Sequence, residues 1–220
     1  MSNPKKIGAF FDLDYVIVGK DLYRLIGEEL IRKNMVSKFR FILWYFWLIK
    51  YRFNLLKAED VLKNNIEDME GMDLEKFDEL AQSVYKRALK YILPGAVKLI
   101  EEHKKSGHQI AILSANFKML IEPIAKFLGI ENVIAIELEI KDGKFTGKVV
   151  EPICIGRGKT FWMRKFAREK NIDLTESFFY TDSFYDFDTL LSVGNPVAVN
   201  PDPRLKRFAK KFGWKIIYTK

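Results

Sequence analysis

Ile7-Gly8-Ala9-Phe10-Phe11-Asp12-Leu13-Asp14 is a short apolar run that ends in two carboxylates. With no polar residue alternating through it, the run reads as a strand buried on both faces, the kind found in parallel sheets. Its polar end then marks the carboxyl edge of the sheet, where open α/β sheets place their ligands. Further along, Leu93-Pro94-Gly95 opens a helix reaching about Ser106-Gly107, and residues 109–113 follow as a strand. The alternation continues as helix 118–128, strand 133–136, helix 159–170, strand 178–181, helix 185–191, strand 197–199, helix 204–212 and strand 215–218. The exception is 137–150, where Lys141-Asp142-Gly143-Lys144 sits between two strand-like runs and predicts a hairpin with an Asp-Gly turn.

The chain has 220 residues, 48% hydrophobic and 30% charged, which suits one domain carrying a modest insertion and excludes a disordered tail. From Asp21 to Lys90 the pattern is helical, broken most clearly at Gly71-Met72-Asp73, with Asp73 as a candidate N-cap. The expected architecture is therefore α/β: a Rossmann-like parallel-sheet core of 1–18 and 90–220, with an all-helical cap of 19–89 inserted. A single cysteine, Cys154, excludes an intramolecular disulfide framework and a cysteine-based zinc cluster. With His103 and His108 the only imidazoles, any metal has to be a hard ion held by oxygen. The opening Met1-Ser2-Asn3-Pro4-Lys5-Lys6 lacks the apolar run of a secretory leader, so the expected compartment is the cytoplasm.

Thirty-seven Lys and Arg against 29 Asp and Glu leave a net charge of +8, which favours anionic partners without choosing among them. Lys33, Lys38, Arg40, Lys50, Arg52 and Lys57 cluster, 204–220 is basic again, and 59–79 is mostly acidic. Phe41-Ile42-Leu43-Trp44-Tyr45-Phe46-Trp47-Leu48-Ile49, bracketed by Arg40 and Lys50, is apolar on every helical face yet far short of the roughly 20 residues that span a bilayer. It reads either as a cap helix buried against its neighbours or in a dimer interface, or as an interfacial helix making peripheral membrane contact. Nucleic acid is disfavoured, because so apolar a run lacks the polar groove of single-strand binders. The oligomeric state is left open.

The polar residues that follow the strands are coherent: Asp12 and Asp14 after the first, Ser114 and Asn116 after the second, then Asp182, Ser183 and Asp186, with Lys159 opening a helix behind Gly156 and Gly158. Four carboxylates and a lysine converging on one pocket would need a divalent cation to coexist. Phe10-Phe-Asp-Leu-Asp-Tyr-Val16, Ile112-Leu-Ser114, Gly156-Arg-Gly-Lys159 and Tyr180-Thr-Asp-Ser-Phe-Tyr-Asp186 together resemble, in order, the four motifs of the haloacid dehalogenase superfamily. The likeness is to its phosphoserine phosphatase-like branch with a helical cap after the first motif, and 193–204 resembles that branch as well. The resemblance implies a Mg²⁺-dependent phosphomonoester hydrolase in which Asp12 is the nucleophile that forms an aspartyl-phosphate and Asp14 the general acid and base. It also implies that Ser114, the Ala115 amide and Lys159 grip the phosphoryl oxygens. Asp12, Asp182 and the Asp14 carbonyl would hold Mg²⁺, with Asp186 behind them.

A true dehalogenase needs neither Asp14 nor Mg²⁺, so the retained acids favour phosphoryl transfer. Tyr15 departs from the Ser, Gly or basic residue of many relatives and, with Asn116 and Ser183, is a candidate substrate contact. The cap motifs associated with genuine phosphoserine phosphatases are missing, so phosphoserine is not the preferred substrate; a small phosphorylated metabolite or a lysolipid phosphate is. The alternatives are a phosphotransferase or mutase, and a membrane-docking binding module with an idle site. Gly156-Arg157-Gly158-Lys159-Thr160 is no nucleotide-binding P-loop, since Ile153 stands where that motif needs glycine. Asp188 reads as a first-turn helix acid, His103 and His108 as structural or surface residues, and Cys154 as a small buried or semi-buried side chain.

Overall fold

The computed structural model describes residues 4–33, 66–67 and 69–219. Among these, the strands are β1 (Lys6–Phe11), β2 (Gln109–Phe117), β3 (Asn132–Ile136), β4 (Leu138–Lys141), β5 (Lys144–Val149), β6 (Ile172–Thr181), β7 (Asn195–Val199) and β8 (Lys215–Ile217). The helices are α1 (Leu22–Arg32), α2 (Leu74–Ala88), α3 (Pro94–Lys105), α4 (Lys118–Phe127), α5 (Arg157–Glu169), α6 (Phe187–Leu190) and α7 (Pro203–Phe212). Six strands form one parallel sheet in the order β3-β2-β1-β6-β7-β8, and β4 pairs only with β5, antiparallel. The chain leaves β1 toward one edge of the sheet and later fills the other from β6 outward. The order therefore switches between β1 and β6, and a crevice opens at their carboxyl ends.

The apolar run at the head of the sequence takes the central place. Ala9, Phe10 and Phe11 are fully buried, with Phe11 stacked on Tyr180 of β6 at 4.5 Å. His103, on α3, bonds Tyr180 Oη through Nε2 at 2.7 Å and His108 through Nδ1 at 2.7 Å. Burial lowers the His103 pKa to about 4, so it stays neutral in the seam between α3 and β6. Both histidines are structural, and Cys154 is a fully buried side chain, as the sequence predicts. The hairpin is also as expected, with positive φ at Asp142 (50°) and Gly143 (73°) matching the tight primed turn that Asp-Gly favours.

Four details differ from the sequence pattern. β2 runs on past Leu113, through a register break against β3 that places Ser114 and Asn116 on its irregular end. β6 begins at Ile172, because polar Asp173, Thr175 and Ser177 are absorbed locally: Ser177 Oγ donates to the Asp173 carbonyl and accepts from the Gly8 N–H. Asp73 occupies the N-cap position of α2 but its carboxylate faces Lys76 and Lys144 instead of capping. The expected 185–191 helix is split into a 3-10 turn, Phe184–Asp186, and α6.

Within 19–89 the described part is helical. α2 packs on α1 and on α4, and Phe77 of α2 meets the rings of Phe117 and Phe145. The basic cluster from Lys38 to Lys57 and the apolar run Phe41 to Ile49 lie outside the described residues, so the two readings of that run stand as expectations. No helix among the described residues is long and apolar enough to cross a membrane.

Glu29 fastens α1 to α2. Its carboxylate, on a residue 1% exposed, accepts from Arg32 Nε and Nη2 (2.9 and 2.7 Å), Ser83 Oγ (2.7 Å) and Arg87 Nη1 (2.9 Å). Burial alone would raise its pKa, but the two arginines and the Ser83 hydroxyl outweigh burial and hold it at about 2. A depressed folded-state pKa means a contribution that is complete above the ordinary value of 4.5 and lost as pH falls toward 2. Glu29→Gln should therefore cost about 2 kcal/mol in urea unfolding at neutral pH. The gap between variant and parent should close progressively below pH 4.5.

Candidate active site

The acids of the first and fourth motifs meet at the switch point. Asp12 follows β1 directly, and its N–H donates to the Tyr180 carbonyl of β6 at 2.8 Å, so its place is set by the sheet. Its Oδ1 accepts the Leu13 N–H (2.7 Å) and its Oδ2 accepts Lys159 Nζ (2.8 Å). Lys159 comes from the first turn of α5, brought close by Gly158: a Cβ there would lie 1.7 Å from the Ile153 carbonyl oxygen. The same ammonium donates to Asp186 Oδ2 at 2.9 Å, and Thr181 Oγ1 donates to that oxygen at 2.7 Å. Asp12, Lys159 and Asp186 are all buried. Burial raises the Asp12 carboxyl, Lys159 pulls it down and Asp186 pushes it up again, leaving it at about 6. Lys159, although burial disfavours its charge, is held protonated by the two carboxylates.

Asp14 lies in the turn two residues on. Its Oδ1 accepts the Leu22 N–H at the start of α1 (3.0 Å) and its Oδ2 accepts Asn116 Nδ2 (3.0 Å). Burial, then Asp21 and Asp12, raise its pKa well above the ordinary carboxylate value. Asn116 Nδ2 also donates to Ser114 Oγ at 3.2 Å, while Asn116 Oδ1 is buried without a partner. The Ala115 carbonyl accepts Tyr23 Oη at 2.8 Å, which ties α1 to the end of β2. Tyr15 has φ 58°, a left-handed conformation costly for a bulky residue, and its carbonyl accepts Asn200 Nδ2 at 2.7 Å. Ser183 Oγ accepts the Tyr185 N–H, which starts the 3-10 turn carrying Asp186. Asp188 sits in the first turn of α6 and pairs with Arg157 at 3.5 Å, on the helix surface and outside this cluster.

Asp182 is half-buried, and none of the described hydrogen bonds or ion pairs ends on its carboxylate. Burial and the charges of Asp12, Asp186 and Asp14 raise its pKa well above the usual value. Such a carboxylate, facing three others with one shared lysine among them, is poised for a further cation. Among the described residues no three His, Cys, Asp or Glu side chains form a cage, and the Asp14 carboxylate is turned to Leu22 and Asn116. Mg²⁺ is commonly bound through one or two carboxylates, waters and substrate phosphate, and the Asp12 and Asp182 carboxylates are donors of that kind. The donors on offer are hard oxygens throughout, so the residues fit the ion.

The residues named from sequence thus gather on three strand ends and one helix start. Thr181, Tyr23, Asn200 and Asp202 also belong to the site's surroundings and were not among them. Thr181 directly precedes Asp182 on β6, a signal that position alone carries. Asp202 looks in sequence like an ordinary N-cap for α7; the resemblance of 193–204 to the phosphatase branch covers Asn200 and Asp202 without giving them a role, and nothing local marks Tyr23.

The described pattern of the haloacid dehalogenase-like hydrolase family matches residues 9–191, which include all four motifs. A phosphoserine phosphatase of Mycobacterium tuberculosis is 30% identical over 215 residues, 94% of this chain and 69% of that protein. A histidinol-phosphatase of Neisseria meningitidis is 27% identical over 218 residues, 96% of this chain and 98% of that one. A phosphoserine phosphatase crystallised as an analogue of its phospho-aspartyl intermediate shares the fold, with TM-score 0.72 and 23% identity over 99% of this chain and 95% of that one. With the family pattern spanning most of the chain, the switch-point acids in place and relatives of this kind along nearly its whole length, the protein belongs to the haloacid dehalogenase-like hydrolase family and is a phosphatase within it.

Proposed function

We propose that the protein hydrolyses a small phosphomonoester with Mg²⁺ through an aspartyl-phosphate on Asp12. The observation that carries this reading is the buried Asp12 carboxylate held against Lys159 at 2.8 Å at the sheet's switch point. Its Oδ1 is anchored by the Leu13 N–H, which orients the carboxylate for attack on phosphorus. Attack forms the Asp12 oxygen–phosphorus bond as the bond to the leaving oxygen breaks, and Asp14, kept protonated by burial and by Asp21 and Asp12, delivers its proton to that oxygen. Asp14, now a carboxylate steadied by Asn116 and Leu22, then takes a proton from water as the water opens the acyl phosphate. Ser114, the Ala115 N–H and Lys159 hold the phosphoryl oxygens through both steps.

Mg²⁺ would be held by the Asp12 and Asp182 carboxylates and the Asp14 carbonyl, where it neutralises the charge that keeps an anionic nucleophile from a phosphate dianion. Asp186 acts behind them, through Lys159. We assign residues 19–89 to a cap, and among its described residues α1 is bonded to both Asp14 and Ala115. Tyr15, Asn116 and Ser183 face the leaving group, with Tyr15 restricting its bulk. The relatives are named for phosphoserine and histidinol phosphate, each a phosphate ester of an amino alcohol, and such esters belong in the substrate panel beside lysolipid phosphates. An idle site is disfavoured, because a lysine buried between two carboxylates is costly to keep without use. The compartment we propose is the cytoplasm.

Phosphate release should require Mg²⁺, stop with chelator and fall about a thousandfold or more in Asp12→Asn. No release by the folded parent from any ester in the panel would sink the hydrolase reading. Lys159→Met leaves Asp12 and Asp186 facing each other uncompensated, so urea unfolding in metal-free buffer should show a loss of about 3 kcal/mol.

A further inference from the structure

The stretch Asn200-Pro201-Asp202-Pro203, downstream of the four motifs, follows β7 and crosses the carboxyl ends of three neighbouring strands. On one side Asn200 Nδ2 donates to the carbonyl of Tyr15, in the turn after β1, at 2.7 Å. Asn200 is itself anchored: its N–H donates to the Ile217 carbonyl (2.9 Å), its Nδ2 to Thr219 Oγ1 (2.8 Å), and its Oδ1 accepts the Thr219 N–H (3.1 Å). On the other side the Asp202 N–H donates to the Asp182 carbonyl (2.8 Å) and Asp202 Oδ2 accepts the Phe184 N–H (2.7 Å). These two bonds clamp residues 182–184 from both ends. Asp202 Oδ1 meanwhile caps α7 by accepting the N–H groups of Arg204 and Leu205, both at 2.8 Å.

The two turns so gripped carry the oxygen donors assigned above to the cation, Asp14 on one and Asp182 on the other. They leave different strands, and the Tyr15 turn is backbone-strained at φ 58°. A strained turn keeps its shape only when its surroundings over-determine it, and the Asn200 bond to the Tyr15 carbonyl supplies one such restraint. Pro201 and Pro203 fix φ on either side of Asp202, so the span between the two grips is stiff. We propose that Asn200 and Asp202 are positioning residues: they form a brace that sets the separation of the Asp14 and Asp182 turns and thereby the affinity for the divalent cation. The inference rests on Asp12, Asp14 and Asp182 forming the cation site.

Two substitutions separate this role from ordinary stabilisation. Asp202→Asn keeps an N-cap of equal quality for α7 but turns an amide N–H toward the Phe184 N–H. Asn200→Asp keeps the acceptor for Thr219 and tolerates the positive φ of 44°, yet loses the donor to Tyr15. Leu205→Ala, in the buried face of α7, is the control that loosens the helix without touching either turn. Mg²⁺ binding measured by calorimetry on the full chain should weaken about tenfold in both brace variants, with little change in Tm. Leu205→Ala should lower Tm and leave the Mg²⁺ Kd within about twofold. Unchanged Mg²⁺ affinity in the brace variants, against a parent that binds the ion, overturns the brace alone. A parent that binds no Mg²⁺ overturns both the brace and the cation site, and if one brace variant fails to fold the other decides.

Discussion

The charge of Lys159, buried between Asp12 and Asp186, is the constraint on which the rest of the structure depends. An ammonium removed from water is tolerable only with its donors satisfied at close range, and here Nζ reaches both carboxylates within 2.9 Å. Meeting that condition requires α5 to begin within touching distance of the Ile153 carbonyl, which only Gly158 permits. It requires β1 and β6 to be adjacent, so that Asp12 and the turn bearing Asp186 open on the same crevice. The topological switch between these strands provides that adjacency.

The same cluster is deliberately out of balance. One lysine is shared by two of the acids, Asp14 is steadied by neutral hydrogen-bond donors, and Asp182 has neither partner among the described bonds. In a core built for stability alone such a surplus of negative charge would be a defect. At the edge of an α/β sheet, on the reading proposed above, it is what draws in a cation and the phosphate that comes with it.

Much of the fold was legible because a parallel sheet writes itself in apolar runs separated by helical periodicity. β1, β3, β7 and the hairpin fall where their residues predict. β6 was half-hidden, since Asp173, Thr175 and Ser177 read as a loop and become strand only through side-chain bonds to the local backbone. The acids and lysine of the site were legible from their order at strand ends, although which oxygen each carboxylate presents was not. Asn200, Asp202 and Tyr23 were illegible for a different reason: they act through contacts 185, 18 to 20 and 92 residues distant in sequence, and nothing in their own neighbourhood records the partner.

The attachment of α1 carries a mechanical consequence. Its first turn offers the Leu22 N–H to Asp14, and one residue later Tyr23 offers its hydroxyl to the Ala115 carbonyl. A single helix end therefore touches both Asp14, the proton carrier proposed above, and the end of β2 proposed to hold the anion. Glu29 lashes that helix to α2, which in turn rests on α4 beyond the far end of β2. A shift of α1 away from the sheet would break both bonds together, so the turn bearing Asp14 and the end of β2 are mechanically linked through one helix end.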